Sequence, residues 1–304
     1  MVDLKPVVIA LTNPDRAAAI AAVEQADAAL GRALYCDRLA MGALAGLLQW
    51  LGESATAADL DPTLDGWLGQ SSVAIAEVGC LICATFGPEV LTAGLPSRWD
   101  LPLDLPDDCL GVVPVGLSAA LDRAYLWGYC PLVPGRDRAD EDGTIPLEPL
   151  HSFERLGRRL DAIREGVALV TADHELGRQL QAHLVPEALT AAIAALELIY
   201  QESPEGPAPL ATWGAIAGDV LTQTAQSWPP PRRPLIPKPV GPVRVSEAHG
   251  TYQVQPATPP EPAAVPLTDL GMQLAQRLAT LWTAAAAAAA PNGDGSPIQE
   301  DPGP

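Results

Sequence analysis

Basic residues are scarce in this chain: 18 Lys and Arg stand against 37 Asp and Glu, a net charge of −19. A surface that acidic repels phosphate backbones and anionic lipid headgroups. Nucleic acid and membrane surfaces are therefore not expected among its partners. The local exception is Arg232, Arg233, Lys238 and Arg244, which lie in or beside the segment PPPRRPLIPKP. Polyproline II geometry suits that segment, first as a stiff spacer and second as a stretch read by a partner groove.

Aromatic residues make up only 5% of the chain, against 48% hydrophobic residues in all. The core must then be built from Leu, Val, Ile and Ala. The 304 residues suffice for one large or two small domains. Cysteine is sparse and odd in number: Cys36, Cys80, Cys83, Cys109 and Cys130. That argues against a disulfide framework and for a reducing compartment. Long hydrophobic runs are missing too. PVVIAL after Lys5 is too short for a signal-peptide core, and NPDR follows at once. The run from Leu278 to Ala290 falls short of the roughly 20 residues a spanning helix needs. A soluble, cytoplasmic protein without membrane insertion is expected.

Catalytic and ligand motifs are equally thin. Cys80 and Cys83 form CLIC, but no second CxxC exists, and residues three apart on a strand point to opposite faces. Core packing is the better reading. His174 opens HELGR, which lacks the second histidine of a zincin. Cys36 lies between Tyr35 and Asp37 within a helical pattern, a poor setting for an activated thiolate. Asp107-Asp108 and Asp140-Glu141-Asp142 are adjacent acids in loops, which are ordinarily solvated. GxSxG, the P-loop and the dinucleotide glycine pattern do not occur. No catalytic residue, metal site or cofactor is expected.

What is present is a clear order of elements. Asn13-Pro14-Asp15 reads as a helix start, with Ala-rich sequence to about Leu30. A second helical stripe follows, Leu34, Met41, Leu44, Leu48 and Leu51, with Gly52 as its stop. Ser72 to Tyr129 then reads as two β-hairpins, VAIAEVGCLICATFG and LGVVPVGLSAALDRAYLWGY, joined by LPSRWDLPLDLPDD. Gly79 supplies the first turn, and Pro114 places the third strand at an edge or bulge. Helical patterns resume at Ser152 and continue past Trp213. The expected fold class is α+β: a small antiparallel sheet of two hairpins, packed with N-terminal and C-terminal helices. The expected division is a globular domain over 1–228, a Pro-rich linker over 229–266, a Leu/Ala helix over 267–290 and a disordered tail over 291–304.

The segments CDRLAMGALAGLLQWLG, VAIAEVGCLICATFG and LGVVPVGLSAALDRAYLWGYC, with PLATWGAI and LTDLGMQLAQ, resemble the cyanobacterial family known as domain of unknown function 1822. The resemblance runs in patches from about Leu4 to Leu278. It implies the sheet and helices above. Its matching residues are packing residues, and it implies no active site. In longer members LTDLGMQLAQ opens a β-rich portion, whereas here the sequence runs into polyalanine.

These readings favour a non-enzymatic regulatory or adaptor module with an unknown protein partner. The stripe Leu267, Leu270, Leu274, Leu278, Leu281 and Trp282 is the expected docking face, suited to a partner groove. The rival class is an enzyme whose site assembles from scattered residues such as His151, His174, Asp107 or Cys36. A structural subunit of a larger assembly is the third.

Overall fold

The structure is a computed structural model. It describes residues 5–24, 31–57, 71–96, 98–100, 106, 108–132, 144–146, 150–202, 209–228, 243–248, 251–256 and 265–289. The fold is mixed α+β, with a sheet, covering helices and a helical half.

Strand β1 (Val7–Ala10) leads into helix α1 (Asn13–Val23). Thr12 is the cap, one residue before the expected Asn13: the Asp15 carboxylate accepts from the Thr12 backbone N–H at 2.7 Å and its hydroxyl at 2.6 Å. The described helix ends at Val23, and residues 25–30 lie outside the description. Helix α2 (Gly31–Trp50) buries Leu34, Met41, Leu44 and Leu48, as their spacing predicts, and Gly52 at φ +93° ends it.

The main sheet contains β2 (Ala55–Ala57), β3 (Ser72–Ile75), β4 (Gly79–Phe86), β6 (Cys109–Leu117), β7 (Arg123–Leu126) and β8 (Cys130–Pro131). Its order is β1-β7-β6-β4-β3-β2, with β8 also on β6. The pairs β3–β4 and β6–β7 are antiparallel, but β4 and β6 run parallel, with Ile82 opposite Val112. The sheet is therefore mixed, which corrects the antiparallel expectation. The long segment between Phe86 and Cys109, which includes α3 (Val90–Ala93) and β5 (Arg98–Asp100), carries the chain back to the same end of the sheet. Strand β5 pairs apart from the main sheet with β9 (Thr144–Pro146).

Pro114 sits in β6, a central strand, which corrects its placement at an edge or bulge. The Leu132 N–H donates to the Leu110 carbonyl and the Ser118 N–H to the Arg123 carbonyl. Even-numbered residues of β6 thus turn their polar groups toward β7 and β8. Pro114 falls between the part of β6 that pairs with β8 and the part that pairs with β7. Its missing N–H faces that gap, so no ladder bond is lost.

Helix α2 covers one face of the sheet. The helical half is α4 (Phe153–Ala172), α5 (His174–Gln181), α6 (Pro186–Gln201), α7 (Leu210–Ser227) and α8 (Leu267–Ala289). Ser152 caps α4, accepting from the Arg155 N–H at 3.2 Å, and Asp173 caps α5. One hydrophobic core runs from the sheet face through α4, α6 and α7 to α8. Helix α8 is thus part of the body. Within 229–266, β10 (Val243–Ala248) and β11 (Thr251–Pro256) pair as an antiparallel hairpin where linker alone was expected. The tail 291–304 lies outside the described residues.

Candidate functional site

The expected docking stripe is the first point of correction. Leu270, Leu274, Leu278 and Trp282 are buried against the protein's own helices, with Leu267 and Leu281 half-buried beside them. Helices α7 and α8 touch backbone to backbone where Gly218 meets Gly271. The Trp213 indole N–H donates to the Ala275 carbonyl at 3.0 Å, and that of Trp282 to the Ala162 carbonyl at 3.2 Å. An amphipathic stripe signals that a helix buries one face; here it buries that face intramolecularly, so the stripe is closed to a partner.

The other singled-out residues do not converge. Cys83 faces the helix-side core and Cys80 the opposite side of the sheet. The Cys80 thiol donates to Asp108 Oδ1 at 3.6 Å, and burial pushes the Cys83 thiol well above its ordinary range. Cys36 is half-buried on α2, and burial raises its thiol too. His174 begins α5, while His183 Nε2 lies 3.0 Å from the Val265 carbonyl oxygen. No cluster of three acids, histidines or cysteines suited to a metal forms among the described residues. His249, Asp107 and Asp140 to Asp142 lie outside them.

A cavity of about 670 Å³ opens instead between α4, α6 and α8. Its position follows from local structure. Tyr129 and His151 exchange backbone hydrogen bonds of 2.9 and 2.8 Å, which pins the start of α4 to the chain just after β7. Arg155, Arg159 and Ala162 recur at helical spacing and share the face of α4 that lines the cavity. The His151 ring stands edge-on to Tyr129, which also lines it.

Arg159 forms the floor. It is 3% exposed and faces Glu197, at 2% exposure, with Nε 3.1 Å from Oε2. Its other donors reach the carbonyls of Leu110 at 2.8 Å, Ala194 at 3.3 Å and Leu132 at 3.4 Å. One guanidinium thereby joins α4, α6, β6 and the residue after β8. Burial pushes Glu197 up to about 7, against the downward pull of Arg159 and Arg155. Burial, then Arg155 and Arg159, pushes His151 down to about 4. Its Nδ1 has no hydrogen-bond partner among the described residues.

Arg155 differs from its neighbour. It is half-buried and lines the cavity, yet its side chain makes no hydrogen bond or ion pair among the described residues. Arg158 at the rim pairs loosely with Glu154 at 3.7 Å. The lining as a whole balances three arginines, Arg155, Arg158 and Arg159, against three acids, Asp161, Glu165 and Glu197. Arg158, Asp161 and Glu165 are exposed at the rim. Inside it Arg159 faces Glu197, while Arg155 has no such partner among the described residues. The facing wall is mostly apolar: Leu198, Trp282, Ala285 and Ala286, with Gln201 as its polar member. The polyalanine run leaves this space open, because methyl groups cannot bridge from α8 to α4.

Sequence reading missed Arg155, Arg159 and Glu197. A signal existed for each. RLGRR concentrates arginines on one helix of a base-poor chain, and Glu197 interrupts the apolar run TAAIAALELIY. A lone acid there implies a buried partner.

Comparison with family models, curated proteins and solved structures returned no match. The resemblance to domain of unknown function 1822 rests on its quoted residues alone.

Proposed function

We propose that this protein is a regulatory binding module that holds a small organic anion in the α4–α6–α8 cavity and acts by binding rather than by catalysis. The observation that carries this reading is Arg155. A half-buried guanidinium whose side chain makes no hydrogen bond or ion pair among the described residues lines an open cavity in which Arg159 already faces Glu197. Arg159 and Glu197 are bonded to each other and to main-chain carbonyls, which favours a structural role for both. A bound anion would bridge α4 to the last turns of α8 and stabilise the folded state by mass action. The test is calorimetric titration of the whole chain with small organic anions, beside Arg155→Gln. Binding that the variant loses supports the proposal; the absence of binding across the series refutes it.

A second reading, protein interaction, draws on another face. Trp50 is 81% exposed at the end of α2 and borders an apolar groove with Val7, Ile9, Gly42 and Gly46, beside the sheet edge β1. In this reading the adaptor role belongs to that face and not to α8. Sedimentation of wild type and Trp50→Ser over a range of concentrations tests self-association there: a dimer lost in the variant supports it, and a monomer throughout counts against it.

The family resemblance stays a proposal; the positions quoted for it that include Leu44, Leu48, Cys83 and Tyr129 are core residues, which says nothing of the cavity. The Pro-rich stretch flanking β10 and β11 is read as the tether of α8. A cytoplasmic setting remains part of the proposal. No single described helix is long and apolar enough to cross a membrane; only α5 and α6 together, bent by 109°, reach that composition.

A further inference from the structure

We propose that the ligand of the α4–α6–α8 cavity is an amphiphilic monoanion, with its carboxylate or sulfate-ester head on Arg155 and an unbranched apolar body lying against Leu198, Ala285 and Ala286 toward Trp282. The inference rests on the binding reading above and narrows it.

The two ends of the cavity differ in chemistry. At one end Arg155 and the Tyr129 ring stand over the Arg159–Glu197 floor. At the other, the Trp282 indole is fixed by its bond to the Ala162 carbonyl. Arg155 and Ala162 are seven residues apart on one helix, about 10 Å along its axis at 1.5 Å per residue, roughly the reach of an octyl chain. The wall between them is Leu198, Ala285 and Ala286.

Charge sets the valence of the head. Inside the rim, Arg155 is the cation with no ion pair among the described residues once Arg159 faces Glu197. The exposed acids Asp161 and Glu165 already outnumber the exposed Arg158, so the lining accommodates one negative charge and disfavours a second. A second charge further along would approach the rim acids Asp161 and Glu165. A short hydrophilic anion would satisfy Arg155 but leave the Trp282 and alanine wall wet. A neutral alcohol would cover that wall but leave Arg155 unpaired. The two halves of the cavity are both satisfied only by a molecule with both parts.

The test is calorimetric titration of the full chain with octanoate, octyl sulfate, octanol, acetate and inorganic phosphate. Wild type is expected to bind octanoate or octyl sulfate at one site, at least tenfold more tightly than octanol or acetate. The tighter of the two octyl anions identifies the head. Arg155→Gln should weaken the anions at least tenfold and leave octanol unchanged. Ala286→Leu, at an exposed position on α8, should fill the cavity and abolish octyl binding while the thermal melt stays two-state. Octanol binding as tightly as octanoate overturns the proposal, as does retained binding in both variants. If acetate or inorganic phosphate binds through Arg155 and the octyl chain adds nothing, the amphiphile fails and the anion reading stands. If nothing binds, both fail.

Discussion

Arg159 and Glu197 meet across the α4–α6 interface with Nε and Oε2 3.1 Å apart, both almost wholly buried. Such a pair is costly to desolvate, and its value lies in the groups it keeps satisfied. Removing Glu197 leaves the Arg159 guanidinium charged, buried and without its counter-ion. Glu197→Ala should therefore lower stability by about 3–5 kcal/mol in urea titrations. Arg159→Met should cost at least as much, because the carbonyls of Leu110, Leu132 and Ala194 lose a donor as well.

The same pair makes stability depend on pH. Glu197 is raised from 4.5 to about 7 in the folded state. The folded chain therefore holds that proton more tightly. The contribution is full below pH 4.5 and is lost as pH rises through about 7, by about 3 kcal/mol. Glu197→Gln lacks the titration, so its stability relative to wild type should rise between pH 5 and 8.

His151 acts in the opposite direction. Its folded value is lowered from 6.5 to about 4. Its contribution is full above pH 6.5 and is lost as pH falls through about 4. His151→Phe should flatten the acid limb of the stability profile, measured by chemical denaturation from pH 3 to 7.

Gly271 and Gly157 should respond to alanine with opposite signs. A Cβ on Gly271 would meet the backbone of Gly218 and Ala217, which no rotamer change relieves. Gly271→Ala should cost at least about 1–3 kcal/mol. A Cβ on Gly157 meets nothing, and Gly157→Ala should gain up to about 1 kcal/mol from helix propensity. Thermal melts of the two variants decide this.

Thiol labelling separates Cys36 from the rest. Cys36 is half-buried, whereas Cys80, Cys83, Cys109 and Cys130 are buried. In native protein a maleimide should label one cysteine first, and the remaining four should react only on unfolding. Mass spectrometry identifies the residue.

The helices are legible in the sequence because their apolar residues recur at one spacing, as Leu34, Met41, Leu44 and Leu48 do. The direction of β6 is not legible, because alternation or its absence says nothing about which neighbour pairs. Its unbroken apolar run around Val112 and Val113 did carry a hint, since strands covered on both faces read that way. The Leu270 to Trp282 stripe shows why a docking face cannot be assigned from periodicity: the pattern is the same whether the groove belongs to a partner or to the chain itself. The cavity escaped notice because a cavity is made by what surrounds it, and the alanines at 285 and 286 have no signature except their small size.

The bond from the Trp282 indole to the Ala162 carbonyl links positions 120 residues apart. A core closed that way cannot be completed piecemeal during synthesis. Until the ribosome has released the chain through Trp282, the faces of α4 and α7 that α8 covers stay open to solvent. A growing chain of this protein is thus exposed to misassociation from the completion of α4 until α8 has emerged, and the docking of α8 ends that exposure.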